Sequence, residues 1–296
     1  MQEIAKGQKG IVSEVIFCAP LDIGLYSLKY YSSECEVKFC GHGTIACMYD
    51  LIKNEPALLN KKTVIIHTRR GDLPVINDIA NSDSVFITAP VPEYLDFKMS
   101  VDEIAQNLNI LVESIDQNYP VSLINGGLRT LLVPIKSLNR IVNILPKQST
   151  LEGFCRNNDI EIILVSSSEV SKNVNSFRTR VFAPKFGYLE DPATGSGNSA
   201  FGYYLLQKKV WDGEIISIEQ GPNLDYPNIV KLKATSVDGV QRVLFGGNAV
   251  VKYIENSDNN GQGYIIGKFP MVQIRLSITL VKRRCLRKIP TILTGY

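Results

Sequence analysis

The feature that most constrains this chain is a glycine-rich motif that occurs twice, 154 residues apart: Cys40-Gly41-His42-Gly43-Thr44-Ile45-Ala46 and Thr194-Gly195-Ser196-Gly197-Asn198-Ser199-Ala200. An acidic stretch precedes each copy, Glu36-Val37 in the first and Glu190-Asp191-Pro192 in the second, and each copy runs into an apolar segment of helical character. A glycine-rich turn that opens a helix leaves backbone N–H groups unpaired and aims the positive end of the helix dipole at whatever lies in front of it. Two such ends in one chain suggest a single anion site between two related halves.

Between the motifs, short runs rich in Val, Ile, Tyr and Phe and bounded by Gly, Pro, Asn or Asp predict strands. They cover Ser13 to Phe17, Tyr26 to Tyr31, Thr63 to His67, Val85 to Thr88, Thr130 to Pro134, Ile160 to Val165, Arg178 to Ala183, Ile215 to Glu219, Ile229 to Ala234 and Arg242 to Tyr253. Helices are predicted after each glycine motif (about 43–53 and 197–209), near 100–108 and 148–157, and over the opening residues. Mostly antiparallel sheet interrupted by a few helices reads as α+β. Both halves also follow their helix with a strand that turns back at a glycine, at Gly71 and at Gly221, so internal duplication is the economical explanation.

Composition narrows the function classes. From Lys268 onward seven basic residues and no acidic ones outweigh the net charge of +3 for the whole chain, so the body before them is mildly acidic. A nucleic-acid-binding core would need a basic face on the folded part, which argues against that class. No apolar run approaches the roughly 18 residues of a membrane span. The six cysteines contain no CxxC pair, which favours reduced thiols in a cytosolic protein. His42 and His67, the two histidines of the chain, are not spaced as ligands on one helix face, so no metal is expected.

At Val12-Ser13-Glu14-Val15, at Glu36 to Ala46, and at Phe182-Ala183-Pro184, Glu190 to Gly197, Glu219-Gln220-Gly221 and Gly246-Gly247-Asn248-Ala249, the sequence resembles the phenazine-biosynthesis PhzF-like family. That family belongs to the diaminopimelate-epimerase fold superfamily, and the resemblance covers residues 1 to about 255. It implies two similar lobes, each a mostly antiparallel sheet curled around a central helix, with the two glycine motifs facing each other across a cleft. The lobes are expected over 1–120 and 121–255, followed by a basic tail over 256–296. Members normally begin some forty residues earlier, so the first lobe is expected to lack its N-terminal strand region.

The resemblance also implies a reaction: a proton moves onto or off a carbon beside a carboxylate, without a cofactor. The site must then bind the anion, stabilise developing enolate-like charge and hold a base nearby. Amides at Gly41, Gly43, Gly195 and Ser196 would bind the anion, Glu14 of the Ser-Glu motif would be the acid/base, and His42 and Asp191 would position the substrate or share the proton. Cys40 fills the first thiol position of the amino-acid racemases and epimerases. Thr194 fills the second, and its hydroxyl cannot replace a thiol there. The expected function is therefore a cofactor-independent isomerase of a small carboxylate-bearing substrate, acting as a homodimer. The alternatives are an amino-acid racemase or epimerase using Cys40, or a non-catalytic small-anion-binding relative. Asp191 also reads as a helix cap and Cys40 as a small buried hydrophobe.

Overall fold

A computed structural model of the chain describes residues 1–9, 14–256, 263–268 and 278–282. The first elements are α1 (Gln2–Gly7), β1 (Glu14–Asp22), β2 (Leu25–Ser32), β3 (Glu36–Val37), α2 (Gly41–Asn54), α3 (Pro56–Leu59), β4 (Thr63–Thr68), β5 (Gly71–Asn77), α4 (Ile79–Ser82) and β6 (Val85–Thr88). Next come β7 (Glu93–Leu95), α5 (Val101–Leu108), β8 (Ser122–Asn125), β9 (Arg129–Pro134), α6 (Leu138–Val142), α7 (Gln148–Asn157), β10 (Ile162–Ser167), β11 (Phe177–Phe182) and β12 (Glu190–Asp191). The rest are α8 (Gly195–Gln207), β13 (Ile216–Gln220), β14 (Asn228–Val237), β15 (Val240–Gly247), β16 (Val250–Asn256), β17 (Gly263–Lys268) and β18 (Ile278–Lys282).

The chain divides into two compact units. One comprises Met1–Ile87 with Asn248–Tyr296, and the other Thr88–Gly247. The boundary expected near residue 120 falls inside the second unit, and the chain re-enters the first at Asn248. Each unit repeats one pairing order. In the first, β16, β17 and β18 are antiparallel neighbours, β18 runs parallel to β1, and β1 is antiparallel to β2. There β2 carries short β3 and runs parallel to β4, with β5 and β6 following antiparallel. The second unit has β7, β8 and β9 antiparallel, β9 parallel to β10, and β10 antiparallel to β11. Likewise β11 carries short β12, runs parallel to β13, and is continued by antiparallel β14 and β15. The fold is α+β, and the shared order is the structural form of the duplication.

In each unit the helix after the short strand is buried almost all round, as a helix wrapped by a sheet must be. Gly43 through Ile52 of α2 are buried without a break, and so are Gly197 through Leu205 of α8. Other helices cover the outer face. Every residue of β10 is buried. Ile163 and Val165 join the cluster with Ile104, Leu108, Leu151 and Phe154 of α5 and α7. Ile162, on the opposite face, reaches toward Gly197 of α8. A strand covered on both faces needs a continuous apolar run, which Ile160 to Val165 supplies. The same alternation governs β1: Val15 and Phe17 pack with Ala5 of α1, while Ile16 points at the start of α2.

Most predicted strands and helices occur within a residue or two of their expected positions. Turn chemistry explains much of this. Asp238-Gly239, with φ of 52° and 78°, closes the β14–β15 hairpin as a two-residue turn with both central residues in the left-handed region. One expectation needs correction. The run from Arg242 to Tyr253 is two strands, β15 and β16, interrupted at Asn248-Ala249 after Gly247, whose φ is 154°. Apolar alternation carries through that break, so pattern alone joined two strands that belong to different units. In the tail, β17 and β18 form strands; the remaining basic residues from 283 onward lie outside the described residues.

Candidate active site

The geometry starts from the first turn of α2. Cys40 is its N-cap in an extended conformation, without a side-chain cap hydrogen bond and with no acidic residue in the first turn. Thr44 closes the turn by donating from both its amide (2.9 Å) and its hydroxyl (2.7 Å) to the Cys40 carbonyl, and Tyr30 of β2 meets the Thr44 hydroxyl at 2.7 Å. Gly43 leaves that turn closely packed by side chains. A Cβ on it would lie 2.7 Å from Ile16 Cδ1 and 2.9 Å from Cys40 Sγ.

Strand β1 supplies the partner. Glu14 is its first residue and shares a face with Ile16, the residue that touches Gly43. Its carboxylate therefore reaches the helix start, with Oε2 3.2 Å from His42 Nε2. The same imidazole nitrogen lies 3.4 Å from Cys40 Sγ. Carboxylate, imidazole and thiol thus form one hydrogen-bonded row, in which the side chains of His42 and Glu14 are 16% and 23% exposed and Cys40 is buried. Burial pushes the Cys40 thiol above its ordinary pKa, with the nearby His42 opposing the shift. Burial also works against a charged His42, but the Cys40 sulfur and the Glu14 carboxylate outweigh it and lift its pKa well above the ordinary value.

Glu14, Cys40 and His42 are also the described residues whose donor atoms could hold a metal, all lying within 4.8 Å of one another. The sequence reading considered His42 with His67 and missed this group. His67 instead pairs with Asp72 at 2.6 Å across the β4–β5 hairpin.

The second unit presents the matching helix end. Thr194 is the N-cap of α8, again without a side-chain cap or an acid in the first turn. Asp191 folds back on the turn: Oδ1 accepts from the Ala193 amide at 3.3 Å and Oδ2 from the Thr194 hydroxyl at 2.6 Å. Its observed partners are those of a turn-forming residue. The sequence reading gave no role to Gln220, yet this side chain knits the whole turn together. It accepts from the Thr194 amide at 3.0 Å and from Asn198 at 2.7 Å, and it donates to the Asp191 carbonyl at 2.7 Å. The signal was visible in Glu219-Gln220-Gly221, a polar pair at the end of an apolar strand. Gln220 is fully buried, and a buried amide must find partners.

Gly195 admits a sharp test, because a Cβ there would sit 2.5 Å from the ring of Phe245, closer than real side chains approach. Gly195→Ala is expected to lower stability by about 1–3 kcal/mol through overpacking. Gly153→Ala on α7, where nothing lies within 4 Å, is expected to raise it by about 0.5–1 kcal/mol. Thermal unfolding of the two variants beside the parent checks both signs, and equal behaviour would show that the α8 start tolerates a side chain.

A duplicated α+β frame with an uncapped helix start in each unit, one with a carboxylate and an imidazole set against it, matches the diaminopimelate-epimerase-like class that the family resemblance implied. The comparisons agree. The family model for phenazine biosynthesis-like proteins, PhzC-PhzF, matches residues 1–254, and the chain belongs to that family. It is 29% identical over 256 residues to antisense-enhancing sequence 1 of Schizosaccharomyces pombe, covering 84% of this chain and 85% of the relative. It is 24% identical over 255 residues to trans-2,3-dihydro-3-hydroxyanthranilate isomerase of Pseudomonas chlororaphis, covering 84% and 85%. The crystal structure of a PhzF-family phenazine biosynthesis protein from Bacillus anthracis superposes with a TM-score of 0.73 at 24% identity, covering 84% and 85% of the two chains, which establishes the shared fold. The protein is an isomerase of the PhzF-like kind. No helix among the described residues is long and apolar enough to cross a membrane.

Proposed function

We propose that the protein is a cofactor-independent isomerase of a small carboxylate-bearing substrate, working by a proton shift through Glu14. The observation that carries this reading is the Glu14 carboxylate held 3.2 Å from the His42 imidazole at the uncapped start of α2. In this reading Glu14 takes a proton from a carbon beside an acidifying group, so a C–H bond breaks and a carboxyl O–H forms. It then returns the proton to another carbon on the same face of the substrate, with no net change in atoms. Charge that develops meanwhile is met by His42 and by the amides at Gly41 and Gly43, and one preorganised donor of this kind contributes roughly 3 kcal/mol in a dry site. The family pattern assigns Gly195 and Ser196 to anion binding as well. Asp191 acts as a positioning residue that shapes the turn in front of them. A substrate named as an anthranilate, as in the Pseudomonas relative, belongs to the carboxylate class proposed.

The racemase reading is weaker. Burial pushes the Cys40 thiol up, away from the thiolate it would need. At the position of a second thiol stands Thr194, whose hydroxyl is engaged by Asp191.

The test is proton exchange in heavy water with a panel of amino acids, cyclic carboxylates and dihydroaromatic acids, followed by NMR. Loss of C–H signal from a dihydroaromatic or cyclic carboxylate is the expected result. Exchange confined to the α-carbon of an amino acid, and abolished by thiol alkylation, would replace this reading with the racemase. Binding of a carboxylate without any exchange would replace it with a non-catalytic anion-binding protein.

A further inference from the structure

We propose that Glu14, Cys40 and His42 form a binding site for a thiophilic divalent ion, zinc above all, and that the ion inhibits the enzyme by occupying its acid/base. The donor set is the first argument. A thiol, an imidazole and a carboxylate meet at one point, and three protein ligands of these types with a fourth position left to solvent are the pattern of an open zinc site. Thiolate and imidazole together select zinc over magnesium or calcium, which prefer oxygen ligands.

Distances make the second argument. With bonds of about 2.3 Å to sulfur, 2.05 Å to nitrogen and 2.0 Å to oxygen, tetrahedral zinc holds S and N about 3.6 Å apart and N and O about 3.3 Å apart. Here Cys40 Sγ and His42 Nε2 are 3.4 Å apart, and His42 Nε2 and Glu14 Oε2 are 3.2 Å apart. The third edge, from thiol to carboxylate, is no longer than 4.8 Å, so closing it to a tetrahedral edge of about 3.5 Å takes a shift within reach of one glutamate torsion. The sulfur also lies 3.8 Å from His42 Nδ1, beside the ring rather than ahead of Nε2, so binding the ion takes a turn of the imidazole as well as the glutamate shift.

Charge is the third. The positive end of α2 disfavours a cation. Binding breaks the Cys40 S–H bond and frees the ligating nitrogen of His42, releasing the protons to solvent; the thiolate and carboxylate then offset the two charges of the ion, so the occupied site is neutral. Solvent reaches it from the side of His42 and Glu14, which are 16% and 23% exposed, while Cys40 closes the inner wall. Inhibition rests on the reading of Glu14 as the acid/base; the metal site does not.

Cadmium titration of the full chain tests the site without reference to turnover, since a thiolate bound to cadmium shows a charge-transfer band in the ultraviolet. The expected result is a saturable band that zinc displaces, that persists in Cys35→Ser and that is lost in Cys40→Ser. In Glu14→Gln the band is expected at the same final intensity with affinity reduced by at least about tenfold, because one of three protein ligands is gone. Should Cys40→Ser fail to fold by circular dichroism, Glu14→Gln decides alone. No band, a band unchanged in folded Cys40→Ser, or unaltered affinity in Glu14→Gln overturns the proposal. An enzyme that exchanges protons but shows no band defeats the metal site alone, and a band without exchange on the substrate panel defeats the isomerase reading alone.

Discussion

Glu14→Gln is expected to lower turnover by about 10²–10⁴-fold, the usual loss when a positioned acid/base is removed. Glutamine keeps the shape of the side chain and can still accept a hydrogen bond from His42, so the row at the start of α2 is preserved. What disappears is the ability to take up and return a proton. The fall should therefore appear in kcat with KM little changed, since binding by the helix-start amides is untouched. Deuterium incorporation into whichever compound the parent protein exchanges is the direct measure. Exchange at half the parental rate or faster in a folded variant would remove Glu14 from the mechanism and leave His42 as the remaining base in the row.

The largest stability effect is expected in the second unit, at the Arg178–Glu219 ion pair. Both side chains are fully buried, 2.7 Å apart. Glu219 also accepts from the Ser171 and Lys172 amides and from Asn175, at 2.8 to 2.9 Å, so one carboxylate ties the 171–175 loop to β13. Burial alone would raise its pKa, but these hydrogen bonds and Arg178 outweigh burial and hold it below the ordinary 4.5. Glu219→Gln leaves the Arg178 cation buried without a counter-charge and is expected to cost about 3–5 kcal/mol. Chemical denaturation at neutral pH measures this, and a loss below about 1 kcal/mol would show that Arg178 is compensated elsewhere. The pH dependence has a definite sign. A carboxylate with a depressed folded pKa contributes stability that is present above 4.5 and lost as pH falls through the lowered value. Acid sensitivity in that window should shrink in the Gln variant.

These two residues also show how one strand serves two purposes. Glu219 and its neighbour Gln220 lie on opposite faces of β13, one holding a loop and the other the turn before α8. Damage at Glu219 is therefore expected to reach the α8 start through the strand that carries Gln220, without either residue touching a substrate.

Local chemistry made much of the molecule legible in advance. Hairpin turns such as Asp238-Gly239, the uncapped glycine starts of α2 and α8, and the apolar run of β10 are set by residues within a few positions of each other, and short-range rules suffice for them. The same reasoning placed Glu14 on a strand and His42 and Cys40 at a helix start, and the family resemblance joined them. What it did not contain was their arrangement in one row with the imidazole in the middle, because a strand residue and a helix residue 28 positions apart meet only once β1 has packed against α2. Pairings between distant strands were equally out of reach. The parallel contacts β1–β18 and β9–β10 join segments with no turn between them, so no local signal marks them. Gln220 was visible as a motif but silent as to role, since a buried amide declares its purpose only through the partners that the finished turn brings to it. By itself the sequence determined the elements, the two helix starts and the residue types that could do chemistry. Only the tertiary structure decided which of them meet, because contact between distant segments depends on how whole sheets close around their helices rather than on any one stretch of chain.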